Sequence, residues 1–82
     1  TTAVHTLEAR QAEAKLWSER ILPSAEANVE LVQKGWLGGK FDLFRVVQVT
    51  REAAEARRRQ LDVLGELWRA RIELERATGD AS

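Results

Sequence analysis

Residues 35–42 read GWLGGKFD, and this stretch divides the chain into two segments with helical patterns. It contains three of the chain's five glycines, and no other part of the sequence has glycines so close together. Glycine accepts positive φ angles without a steric penalty, so clustered glycines are typical of turns. The three are Gly35, Gly38 and Gly39. We therefore predict a turn over residues 35–41.

A long helix is predicted on each side of the turn. Asp42 is a good N-cap for the second helix, because its carboxylate can accept hydrogen bonds from the free amides of the first turn. Gly35 is placed to stop the first helix, and Gly79 to end the second as a C′ glycine. The helices then span residues 3–34 and 43–78, about 48 and 54 Å in length. Their similar lengths predict an all-α fold, an antiparallel two-helix hairpin of coiled-coil type.

Pro23 lies inside the first predicted helix, where it removes a backbone donor and crowds the carbonyl four residues earlier. Leu22 before it is a poor N-cap, so we expect a kinked but continuous helix. The apolar stripe of this helix shifts phase near the proline, which agrees with a kink. Before it the stripe comprises Val4, Leu7, Ala14, Trp17 and Ile21, and after it Leu22, Ala25, Val29, Val32 and Trp36.

The second helix has two apolar seams side by side. The first seam comprises Leu43, Val47, Thr50, Ala54, Arg57, Leu61, Leu64 and Trp68. The second seam, rich in alanine, comprises Val46, Val49, Ala53, Ala56, Gln60, Val63, Leu67, Ala70, Leu74 and Ala77. A two-helix coiled coil needs one seam, so we expect another chain or the rest of a larger protein to cover the other. A broad core-facing stripe is the alternative.

Charge and composition exclude several classes of function. Lys and Arg total 13, Asp and Glu total 13, and the chain has one histidine and no cysteine. The balanced charge argues against a nucleic-acid interface, which needs a basic face. A domain of 82 residues with these side chains can hardly form the water-excluding pocket of an enzyme. We therefore expect no catalytic residue, no cofactor and no metal ligand.

Four local patterns have simpler interpretations than a chemical site. Gly38, Gly39 and Lys40 lack the earlier glycine and the following hydroxyl residue of a phosphate-binding loop. His5 has no ligand partner at helical spacing. The arginines at positions 57–59 are offset by nearby acidic residues. Apart from its two seams, the second helix carries a wholly polar series that mixes both charge signs, as a solvated face does.

Large apolar residues in the turn are the best candidates for a binding site. Trp36, Leu37 and Phe41 would lie far from any core in a hairpin. Exposed apolar groups at such a place suggest a docking surface. Local packing, in which Trp36 and Phe41 clamp the helix ends together, is an equally good interpretation, and both can hold.

The same region resembles the turn of outer-membrane efflux proteins, the TolC-like family. That turn has an aromatic residue, two residues, Gly, two residues, Ser or Asp, and then a Leu-rich helix start. Trp36, Gly39 and Asp42 match in order, although the family usually has Tyr at the first position. Residues 21–26 resemble the "ILPQAE" segment of the heavy-metal efflux branch, and residues 71–79 resemble the family's "RAELERALG" ending.

The resemblance implies a periplasmic α-barrel hairpin of a trimeric outer-membrane efflux channel for metals or drugs. Residues 1–82 would be one hairpin of a larger protein, more in keeping with its second internal repeat. The turn would dock onto the periplasmic adaptor of a tripartite pump, and the inner-membrane pump would supply the energy. The implied partner-binding residues are Trp36, Leu37, Gly38, Gly39, Lys40, Phe41 and Asp42.

Other interpretations remain open. One is a stand-alone helical hairpin that dimerises into a four-helix bundle and serves as an oligomerisation or scaffold module. Another is the coiled-coil hairpin of the adaptor itself, but its tip carries an Arg, Leu and Ser pattern that this chain lacks. A third, a regulatory nucleic-acid module, would require a basic face, which this sequence lacks.

Overall fold

The protein, described here by a computed structural model covering residues 2–81, is helical everywhere in that range except at residues 38–42. No strand occurs in this range, and the predicted all-α class is confirmed. The elements are helix α1 (Thr2–Leu16), a π-helical turn (Trp17–Ile21), helix α2 (Leu22–Leu37) and helix α3 (Leu43–Ala81). Residues 38–42, hereafter the bend, connect α2 to α3.

The π turn explains the phase shift that the sequence shows near Pro23. The N–H of Leu22 donates to the carbonyl of Trp17, five residues earlier, so the turn takes up one more residue than an α-helical turn. As a result, both Ile21 and Leu22 are withdrawn from solvent, although they are adjacent in the chain. The turn ends just before Pro23, which has no N–H to continue an α-helical ladder. The helix is continuous across the proline, as expected.

Helix α3 packs against both α1 and α2. Residues early in the chain meet residues late in α3, and the contacting pairs approach the bend in order. Polar contacts join the segments in this order. Arg10 Nη1 lies 3.3 Å from Glu66 Oε2, and Gln60 Nε2 donates a hydrogen bond to Ser18 Oγ at 3.1 Å. Nearest the bend, Arg57 Nη2 lies 3.9 Å from Glu26 Oε1. The molecule is elongated, with principal extents of 65 × 15 × 13 Å.

The second seam of α3 is the one that packs against α1 and α2. Its buried members are Val46, Val49, Ala56, Val63 and Ala70. The opposing buried residues are Ala14, Leu22 and Val32. These side chains are small apart from Leu22, so the two segments can approach closely along a narrow core. The first seam is mostly exposed, which makes it the seam left without a neighbour.

Both helix ends predicted from glycines differ from the structure. The first helical segment continues past Gly35 to Leu37, so Trp36 and Leu37 lie in its last turn rather than in a loop. Helix α3 continues through Gly79 to Ala81 instead of ending at residue 78. Gly39 is the one glycine with a positive φ among the described residues, so Gly79 is not a C′ residue. Residues 1 and 82 of the predicted domain lie outside the described range.

Within the part of the chain that the structure describes, no helix combines the length and the apolar character needed to cross a membrane.

Candidate docking site at the bend

The end of α2 is closed by a Schellman motif. The N–H of Lys40 donates to the carbonyl of Gly35 at 2.7 Å, and the N–H of Gly39 donates to that of Trp36 at 3.0 Å. Gly39 has φ +79°, the left-handed conformation that this motif requires of its C′ residue. Gly38 precedes it with an ordinary negative φ of −84°. The helix stop is therefore Gly39, and the bend has a defined backbone geometry.

Asp42 caps the start of α3, as the sequence predicts. Its Oδ1 accepts a hydrogen bond from the N–H of Arg45 at 2.9 Å, three residues into the helix. Its backbone carbonyl also accepts from the N–H of Val46 at 3.4 Å. The cap and the Schellman motif lie on either side of Phe41, so the backbone at the bend is held from both directions.

Replacing Asp42 with alanine is expected to lower the free energy of unfolding by about 1 kcal/mol, because it leaves a first-turn amide without its acceptor. Chemical denaturation followed by circular dichroism measures this change. Asp42→Asn is the matched control, since its side-chain oxygen can still accept the bond, and it should retain most of the stability. Equal losses in both variants would show that the charge rather than the cap matters.

Gly35 has a role that the sequence did not reveal. The ring of Phe41 folds back over Gly35, and a Cβ built there would overlap the ring. The absence of a side chain at Gly35 therefore lets Phe41 pack against the last turns of α2. This contact is the local packing considered for Phe41, yet the ring remains 39% exposed.

Large apolar side chains surround the bend and face solvent. Leu37 is 80% exposed and Phe44 is 79% exposed. We call the set Leu31, Trp36, Leu37, Phe41, Leu43 and Phe44 the tip patch. Sequence reasoning named Trp36, Leu37 and Phe41 but omitted the others from the site. Phe44 belongs to neither apolar seam of α3, and this was the sequence signal that could have predicted its exposure.

A shallow groove adjoins the tip patch. Its lining comprises Leu31, Lys34, Gly35, Gly38, Lys40 and Phe41. Lys34 Nζ lies 3.5 Å from Glu30 Oε1, and both side chains are largely exposed. The groove thus brings three predicted site residues of the bend, Gly38, Lys40 and Phe41, beside residues of α2 that the sequence did not single out as a site, whereas Trp36, Leu37 and Gly39 are not in its lining. Asp42 is not among its lining residues, and its carboxylate caps α3.

The exposed first seam forms a second apolar surface along α3. We call its large members Leu43, Val47, Leu61 and Trp68, together with neighbouring Ile72, the α3 stripe. The large apolar residues of α3 are thus mainly outside, whereas alanine and valine line its packed face. The charged residues of the polar series outside the two seams are mostly exposed, as expected for a solvated face. No group of three His, Asp or Glu within the described residues is arranged to hold a metal ion.

The chain matches no protein-family model, and neither the curated proteins nor the solved structures contain a significant match to it.

Proposed function

We propose that the chain is an antiparallel helical hairpin of coiled-coil type whose bend docks onto another protein. In its specific form, the proposal is the periplasmic hairpin of a trimeric outer-membrane efflux channel, with the adaptor of a tripartite pump as the partner. The observation that carries it is the exposure of Leu37 and Phe44, at 80% and 79%, on the two sides of a bend with fixed backbone geometry.

The tip patch has the physical character of a protein-binding site. Apolar side chains clustered in water favour burial, at about 25 cal/mol for each Å² removed from solvent. The Schellman motif and the Asp42 cap hold the backbone beneath them, so less conformational entropy is lost on docking than for a flexible loop. Aromatic residues contribute strongly to binding energy when a partner desolvates them. Trp36, Phe41 and Phe44 supply such groups.

The resemblance to the efflux family is the reason for proposing the periplasmic adaptor as the partner. It implies that an aromatic residue, a glycine and a Ser or Asp cap occur in order at the tip. In this chain Gly39 has the positive φ that the turn needs, and Asp42 caps the following helix. These features support the family assignment as a proposal, because each gives a physical role to a residue of the motif.

The α3 stripe supports a lateral contact as well. In the proposed channel, neighbouring helices of a trimeric barrel would cover it. In the alternative, the chain is a stand-alone oligomerisation module, and a second copy would cover the stripe. The exposure of Leu61 and Trp68, at 58% and 61%, is the observation that favours this alternative.

The test is the double substitution L37S/F44S in the parent channel. We expect at least a tenfold loss of adaptor binding, together with loss of metal or drug resistance at unchanged channel abundance. Leu16→Ser is the matched control, since Leu16 is an exposed leucine on α1, far from the bend. Wild-type resistance in L37S/F44S would contradict the docking role. If L37S/F44S kept wild-type function while L61S/W68S lost both self-association and function, the oligomerisation module would replace the proposal, because the channel proposal requires both variants to fail.

A further inference from the structure

We propose that the groove beside the tip patch recognises an acidic protein segment, in which an apolar side chain is flanked by carboxylates. This inference rests on the proposed docking function and specifies the chemistry of the partner at that site.

The floor of the groove is apolar and is formed before any partner binds. The Phe41 ring lies over Gly35, and Leu31 extends the same surface along α2. Three backbone hydrogen bonds converge on this floor, two at the Gly35 carbonyl and one at the Trp36 carbonyl. Leu31 is 64% exposed, so a partner's apolar side chain could bury it without displacing anything.

The rim of the groove is basic. Lys34 and Lys40 both line it, and no carboxylate residue is among its lining. The ammonium group of Lys40 has no ion-pair partner among the described residues. That of Lys34 meets Glu30 in an exposed i,i+4 pair, which contributes little and exchanges readily. Asp42, the nearest carboxylate in sequence to Lys40, caps α3 and is not among the residues that line the groove. Positive charge at this rim is therefore available to a partner.

These features determine the chemistry of the occupant. A carboxylate beside an apolar side chain can meet an ammonium group while its neighbour enters the groove, whereas a basic segment would be repelled. Each lysine also carries an apolar stem that can pack against the partner while its charged end stays in solvent. The inference therefore favours Glu or Asp next to Leu, Ile or Phe.

The experiment uses the full chain labelled with ¹⁵N and three 12-residue peptides with a central leucine. The leucine is flanked on each side by two glutamates, two serines or two lysines. Backbone amide shifts of Gly35, Gly38 and Gly39 report binding at the groove. We expect the glutamate peptide to bind at least tenfold more tightly than the serine peptide, with the difference falling as salt is raised. The lysine peptide should produce no shift.

Charge reversal provides the matched variants. K34E/K40E should invert the order of the glutamate and lysine peptides, and both positions are exposed, so the fold is retained. Lys15→Glu, an exposed lysine on α1 outside the groove, should leave the order unchanged. Equal binding of the glutamate and serine peptides would overturn the charge inference and leave the apolar docking site standing.

Other outcomes also overturn the inference. Absence of shifts with all three peptides would do so, and wild-type resistance in L37S/F44S would then remove the proposed function too. Binding of phosphatidylglycerol vesicles that depends on Lys34 and Lys40, without binding of the glutamate peptide, would assign the groove to an anionic membrane surface instead.

Discussion

Leu22→Ala is expected to lower the free energy of unfolding by about 2–3 kcal/mol, the largest loss from truncating one side chain in the core. Leu22 is 4% exposed and is the largest of the buried side chains, which otherwise are alanine and valine. Its removal leaves a void opposite α3 and forfeits the transfer energy of the deleted carbons. The expected loss lies toward the lower end of the range for Leu→Ala substitutions in cores, because a core between only two helical layers can partly collapse into the void.

Urea denaturation of the full chain, followed by circular dichroism, measures this loss. Leu31→Ala is the matched control, because Leu31 lies in the same helix but is 64% exposed. It should change stability by less than about 0.5 kcal/mol. Equal effects of the two substitutions would show that α2 does not pack against α3 through Leu22.

Gly39→Val is expected to cost roughly 2–3 kcal/mol through backbone strain. Gly39 has φ +79°, where a β-branched side chain is strongly disfavoured. A Cβ at Gly39 would meet no atom within 4 Å, so the cost comes from the backbone rather than from a clash. The chain at the bend would relax toward negative φ and lose the bonds that Lys40 and Gly39 donate. If the chain belongs to an efflux channel, as proposed, we expect weaker efflux with retained expression of that channel.

The adjacent glycine supplies the control for this second substitution. Gly38 has φ −84°, and a Cβ there would lie 3.5 Å from the carbonyl oxygen of Lys34, an ordinary contact. Gly38→Ala should therefore leave stability within about 0.5 kcal/mol of the wild type. Denaturation measures both variants, and the Gly35 and Lys40 amide signals report whether the bend is retained. A similar loss in Gly38→Ala would indicate a general need for flexibility rather than a positive φ.

The order of the elements could be predicted because the relevant signals are local. Glycine spacing located the bend, and Asp42 capped α3 because an N-cap needs only its own first turn. The phase shift of the apolar stripe at Pro23 likewise followed from the chain itself. The π turn that produces it could not be named, since either a kink or an extra residue shifts a stripe.

The helix ends near glycines were harder to place. Gly35 and Gly39 are the same residue type, so the difference between their conformations depends on the contacts around them. The Phe41 ring occupies the space over Gly35, and the Schellman bonds give Gly39 its positive φ. Gly79 remains helical. A glycine permits a helix stop without requiring one, so the surrounding hydrogen bonds decide.

The sequence by itself determined an all-α chain, its bend, the Asp42 cap and the existence of two apolar seams on α3. Only the tertiary structure decided which seam lies inside. The seams share the same periodicity, so pattern alone cannot rank them. The small residues of the second seam let α3 approach α1 and α2, and the bulkier Leu61 and Trp68 remain in solvent. Burial depends on the shape of the opposing surface, and that information appears only when the two segments are packed together.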